Sequence, residues 1–252
     1  MFSSPEILVL LLVATLGHVM ALLWYAAYRH DWRLCQRRIY DLPISNDQIR
    51  REVRNSLHVP MRAGILAAFL ALGFFHNTGI ASFLCSAIAT TIWAEIWHYA
   101  SHRAFHLRPL HWIHVEHHKS RVNSPFTALS FSVTEKLIFD VGLLAPLACV
   151  DAFCPLSFFG IAAWYIGNLL VNSFGHANFE LGADHYTRWL GNVLTSTTYH
   201  SLHHSRYTGN YGLATRIMDR LLRTEWNDYE KLYARISVER KPLSSLREKV
   251  TG

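Results

Sequence analysis

The sequence predicts an all-α protein, with apolar helical hairpins set in a membrane beneath a helical cap dense in histidine. Three observations predict it. Long apolar runs carry almost no charge, arginines crowd one end of those runs, and histidines recur at helical spacing between them. Of the 252 residues, 51% are hydrophobic and 17% charged. An ordinary soluble domain carries about 25% charged residues. This balance excludes a disordered, collagenous or coiled-coil chain. The four cysteines, Cys35, Cys85, Cys149 and Cys154, form no Cys-x2-Cys pair, which argues against a disulfide scaffold or a zinc ribbon.

The first element is the uncharged run Ile7 to Tyr28. Roughly 20 helical residues cross the hydrocarbon core, so this run can span. No basic segment precedes it and no small-residue cleavage site follows, so it reads as a retained anchor and not a signal peptide. Next come Ala63 to Phe75 and Ile80 to Trp97, a helical hairpin turning near Asn77 and Gly79. A further pair, Leu137 to Phe153 and Leu156 to Phe174, is split by Cys154-Pro155. Asp140 and Asp151 weaken its first arm, so four to five membrane segments are expected.

Arg29, Arg33, Arg37, Arg38, Arg50, Arg51, Arg54 and Arg62 follow the first run, while the two hairpin tips carry no Lys or Arg. The positive-inside rule then puts residues 29–62 in the cytoplasm, and with them the segments 98–136 and 176–252. The basic charge reads as a topology signal with attraction to anionic lipid, not as a nucleic-acid surface. A bacterial inner membrane or the endoplasmic reticulum would suit. Composition divides the chain into an anchor with a basic segment (1–62), a central membrane unit (63–228) and a polar tail (229–252).

Sixteen histidines are present, twelve of them between His98 and His204. His98, His102 and His106 recur every fourth residue, which puts them on one helix face. His114-Val-Glu-His117-His118 and His200-Ser-Leu-His203-His204 share one spacing, and His176 ends the last apolar run. Neutral imidazole is the commonest metal ligand, and clustered buried rings without a cation would lack partners. Isolated His18, His30, His58 and His76 read as solvated or interfacial. Nine ligands exceed the needs of one tetrahedral zinc and suffice for two ions with open positions. The fold expected is therefore all-α, integral membrane helical hairpins with a cytoplasmic helical cap carrying a histidine-rich dinuclear metal site. A metal transporter would place its ligands near mid-bilayer, whereas these flank the spans.

From Glu95 to Thr224 these boxes resemble the fatty acid hydroxylase and sterol desaturase family of membrane di-iron enzymes. The resemblance rests on His102-Arg-Ala-Phe-His106, His114-Val-Glu-His117-His118, Gly175-His176-Ala-Asn178, His200-Ser-Leu-His203-His204, Gly209-Asn210-Tyr211-Gly212 and Asp219-Arg220. The first box, with Glu95, Trp97, His98, Tyr99, His102, Arg103 and His106, is most similar to that of sterol 4-methyl oxidases. Val133-Thr134 stand where the family has His-Pro, and Met218 where it has Trp. These departures leave the metal residues in place and leave the substrate open.

The resemblance implies iron ligation by His102, His106, His114, His117, His118, His176, His200, His203 and His204. It adds His98 as a ligand or a supporting ring, and leaves His111 and His185 as supporting or solvated. Glu95, Glu135, Asn178 and Asn210 are the implied non-histidine site residues, and Glu116, Asp184 and Asp219 could orient imidazoles. Trp24, Trp93, Trp97, Trp112, Trp164 and Trp189 fit an interfacial belt better than a lipid channel. The implied activity uses two Fe ions, O2 as co-substrate and electrons from a separate cytochrome- or ferredoxin-type protein, since no Rossmann glycine motif occurs. It would hydroxylate or desaturate a membrane lipid such as a sterol or fatty acyl chain, or oxidise a methyl group of it. An aldehyde-deformylating or ether-cleaving reaction of the same fold is the alternative.

Overall fold

The computed structural model describes residues 2–181 and 190–249. His185, Asp184 and Trp189 lie outside the described residues. The described residues form helices, with isolated bridges and no strand.

The chain opens with α1 (Ser4–Arg29), capped by Ser3 and Glu6 acting reciprocally. Its buried positions Val13, Gly17 and Ala21 form a stripe of small or short residues that lets α1 lie along a later helix. The opposite face carries exposed Leu8, Leu11, Leu22 and Leu23, as lipid contact requires. A polar helix α2 (Asn46–Ser56) and a short α3 (Met61–Ala71) follow, then α4 (Ile80–Phe105), α5 (His111–His118) and the 3-10 turn Pro125–Leu129. The series continues with α6 (Val133–Asp151), α7 (Phe158–Gly175), α8 (Thr197–Arg206), α9 (Ile217–Leu221) and α10 (Tyr229–Ser237).

Among the described residues, three helices are long and apolar enough to cross a membrane: α1, α4 and α7. That corrects the expected four to five. α3 has 11 residues, too short to span. α6 has 19 but carries Glu135, Lys136, Asp140 and Asp151. Its two aspartates are satisfied internally. Asp140 accepts from Arg62 Nε at 3.0 and 3.2 Å and from Tyr165, while Asp151 accepts the backbone N–H groups of Phe75 and Leu156. Arg62 is therefore no loop charge; it is 2% exposed and locked inside the bundle.

α7 lies between α1 and α4, and α4 also packs on α6. Leu66, Leu143, Leu144, Ile161 and Leu169 fill the space between. Two glycines make the close approaches possible. A Cβ at Gly160 would overlap the Phe83 carbonyl of α4, and one at Gly142 would overlap the Trp97 ring. Pro146 has no N–H to offer the carbonyl four residues back, and Trp93 Nε1 donates to that Gly142 oxygen at 3.2 Å. Trp97 Nε1 donates to Phe139 O one turn earlier. Trp93 and Trp97 thus rivet α4 to α6, whereas Trp112 is 62% exposed.

Above the bundle a second core holds Tyr199 and Leu202 of α8 against Tyr229, Leu232, Tyr233 and Ile236 of α10. The polar composition of 229–252 conceals this amphipathic helix, whose apolar residues fall at i, i+3, i+4 and i+7. Ile39, Tyr40 and Leu243 close the same core, so segments from both ends of the chain brace the histidine helices.

Candidate metal centre

α4 leaves the bundle at its C-terminus, where His102 lies one turn before the capping residue His106. The chain reverses and α5 returns, bringing His114 to 4.7 Å from His102 and His118 to 4.7 Å from His106, ring centre to ring centre. α8 closes the third side, with His203 4.4 Å from His102. Two groups result. One contains His102, His106, His114, His118 and His203; the other contains His117, His176, His200 and His204. Within each group the ligand atoms lie within 4.8 Å of one another. All nine expected ligands are brought together, and all but His106 are buried.

The division follows from helical geometry. Residues i and i+4 point nearly the same way, and i+3 points to the side. α5 sends His114 and His118 to the first group and His117 to the second. α8 sends His200 and His204 to the second and His203 to the first.

The outer nitrogens are held by the surrounding chain. The Nδ1–H groups of His102, His203, His117, His176 and His204 donate to the carbonyls of Tyr211, Gly209, Ser130, Asn172 and Ser120 at 2.8 to 3.1 Å. His114 Nδ1 bonds Glu135 Oε1 at 2.6 Å. Each such bond fixes a tautomer whose Nε2 lone pair faces inward.

Burial, and then neighbouring rings, hold the pKa of His114, His117, His118, His200 and His204 well below the ordinary value. Burial brings His176 down to about 4. Neutral rings are the ligand form.

This donor set was tested for its fit to cations. The buried Nε2 atoms of His102, His106 and His114 have no hydrogen-bond partner. His200 Nε2 lies 2.8 Å from His176 Nε2 and 3.1 Å from His204 Nε2, whose lone pairs both face it. One imidazole proton can satisfy one of them. A cation in each group satisfies every inward nitrogen, and all-imidazole donation suits iron, zinc, copper or nickel.

Other expected residues fall elsewhere. His98 belongs to neither group. Its ring rests against His102 and Phe139, and its Nε2 is buried without a partner. His111 stacks outside, near Tyr207. Glu95 accepts from Thr215 N–H and Oγ1 at 3.0 and 2.7 Å and touches no imidazole. Glu116 accepts from Asn55 and Lys119.

Asn178 brackets Tyr40, accepting its N–H and donating to its carbonyl. Asn210 donates to Tyr199 O and accepts Trp226 N–H. Both amides are fully engaged with backbone, in left-handed conformations (φ 57° and 54°) that Asn tolerates. They shape the loops that aim the histidines. Asp219 acts at the same remove, accepting the N–H groups of Tyr211 and Gly212 beside the carbonyl that holds His102.

Among the residues not anticipated, Phe131 stacks flat on His117 at 4.2 Å. Arg62 and Lys136 line a narrow, mainly apolar cleft with Phe105, Phe139, Asn168 and the inner histidines. It lies between the C-terminal ends of α4 and α7 and the N-terminal end of α6. No motif marks it; the two basic residues, each immediately before an apolar run, are the available signal.

Comparison with known proteins agrees with this centre. The family model for fatty acid hydroxylase matches residues 87–224, which contain all nine histidines. Curated relatives include the very-long-chain aldehyde decarbonylases GL1-6 (26% identical) and GL1-1 (29% identical) of Oryza sativa subsp. indica. Another is the very-long-chain aldehyde decarbonylase CER1 of Arabidopsis thaliana, 26% identical. The matches cover 84%, 86% and 83% of this chain and 35%, 37% and 35% of the respective relatives. The chain therefore spans a little over a third of those proteins' length. No solved structure matches.

Proposed function

The chain belongs to the fatty acid hydroxylase family, and from that premise we propose that it is a membrane oxidoreductase acting on a long-chain aldehyde. In this reading the aldehyde is shortened to a hydrocarbon and its terminal carbon leaves as a one-carbon fragment. The observation that carries the reading is an apolar cleft ending on two all-histidine groups. The relatives' names favour an aldehyde over lipid C–H hydroxylation or desaturation, the reaction first expected from the boxes.

Two iron ions held by the nine histidines would supply activation of dioxygen, with electrons from a separate cytochrome- or ferredoxin-type carrier. The chain's own residues do the remaining work. Glu135 and five backbone carbonyls hold the imidazoles in one tautomer. The apolar wall of Phe105 and Phe139 excludes water and aligns the chain. The arginine asymmetry supports a cap on the cytoplasmic side.

The test is product analysis by gas chromatography and mass spectrometry after giving reduced, iron-loaded protein a long-chain aldehyde and oxygen. An alkane one carbon shorter is expected. A hydroxylated chain, or an untouched aldehyde, would overturn the proposal.

A further inference from the structure

The cleft wall holds two basic side chains in unequal circumstances. Arg62 is neutralised by Asp140 and also donates to Asn168. Lys136, on the first turn of α6, is 6% exposed and makes no direct ion pair among the described residues, although the Glu135 and Asp140 carboxylates lie near enough to favour its charge. Its contact is the face of Phe131, 3.9 Å from Nζ to the ring centre. The same ring stacks on His117. The ammonium and the second histidine group thus share one aromatic spacer. Glu135 is turned toward His114, and Asp140 is taken by Arg62.

A buried cation with no hydrogen-bonded partner is costly, and distant carboxylates and a cation–π contact offset that cost only in part. Such a group, inside an apolar wall beside a reaction centre, calls for an acceptor that arrives with the ligand.

We propose that Lys136 is the substrate-binding residue for the head group, donating a hydrogen bond to the carbonyl oxygen of a long-chain aldehyde. The aldehyde carbon then lies beside the histidine groups, and the alkyl chain runs along Phe105 and Phe139. The inference rests on the aldehyde reading above and adds a basis for discrimination. A hydrocarbon product has no oxygen to accept from Lys136, so it leaves more readily than the substrate.

The test measures binding on the metal-loaded full chain in detergent, under anaerobic conditions so that nothing turns over. Palmitaldehyde, cetyl alcohol and hexadecane compete with a fluorescent acyl probe. Wild type is expected to favour palmitaldehyde over hexadecane by on the order of tenfold to a hundredfold, the range of one hydrogen bond to a charged donor. Lys136→Met keeps length and apolarity; it is expected to abolish that preference and leave hexadecane affinity and metal content unchanged. Lys136→Arg is expected to keep part of it.

A preference that survives in Lys136→Met, or that wild type lacks, overturns the inference. If hexadecane affinity falls with it, the fold has been damaged, and Lys136→Arg decides: full loss of preference there also counts against the inference. The two proposals fail separately. Tight, lysine-dependent aldehyde binding without alkane formation sinks the reaction and spares the site. Alkane formation with an unchanged KM in Lys136→Met does the reverse.

Discussion

α5 and α8 carry the same His-x2-His-His spacing, yet they serve the two histidine groups in opposite proportion. α5 gives two ligands to the first group and one to the second; α8 gives one to the first and two to the second. Neither box is a ligand set by itself. Each is a clamp between two sites, and the i+3 histidine is the member that crosses. The groups differ in support as well. The first has five donors, two of them from α4, and its His114 leans on the Glu135 carboxylate. The second has four donors, anchored through the carbonyls of Ser130, Asn172 and Ser120.

This asymmetry can be broken by substitution. The largest effect is expected from His200→Ala, which leaves the second group three donors. Dialysis against a chelator should strip that ion, and activity should fall to background. His106→Ala leaves the first group four donors and should retain most of its metal under the same dialysis. Equal losses in the two variants would mean that the groups are not five and four.

Glu135→Gln comes next. Removing the charged partner of a ligand imidazole typically costs about 10- to 100-fold in metal affinity or activity. The loss should fall on the first group alone, as read by competitive metal titration.

Acid should act on both groups. Burial holds His114, His117, His200 and His204 well below their unfolded value of 6.5, so the unfolded chain binds more protons. Stability is present above that value and is lost as pH falls below it. The metal-free protein should show a thermal midpoint that declines below about pH 6.5. A midpoint insensitive to pH there would contradict neutral buried rings.

The smallest change is expected from Glu95→Gln, because the amide oxygen still accepts from Thr215. Metal content and turnover should stay within about fivefold, the scale of one neutral hydrogen bond. A large loss of turnover would restore Glu95 to the chemistry.

Much of this was legible in sequence because it is local. Periodicity placed His98, His102 and His106 on one face, the apolar run from Ile7 marked α1, and Glu135 was singled out. The crossing of His117 and His203 was not legible. Spacing defines a helix face, but which neighbour that face meets depends on how α5 and α8 are docked. The Arg62–Asp140 pair joins residues 78 apart, so Arg62 read as a loop charge and Asp140 as a flaw in a span. The backbone partners of Asn178 and Asn210 are not legible either, because a backbone group leaves no trace in composition.

The central claim is two ions in two groups that the boxes tie together. Elemental mass spectrometry of metal per chain tests it most directly, comparing wild type with His203→Ala/His204→Ala, which removes one ligand from each group. One iron per group, hence two per chain, is expected in wild type, with one or fewer in the double variant. A single zinc or no metal, unchanged by the substitutions, would contradict it.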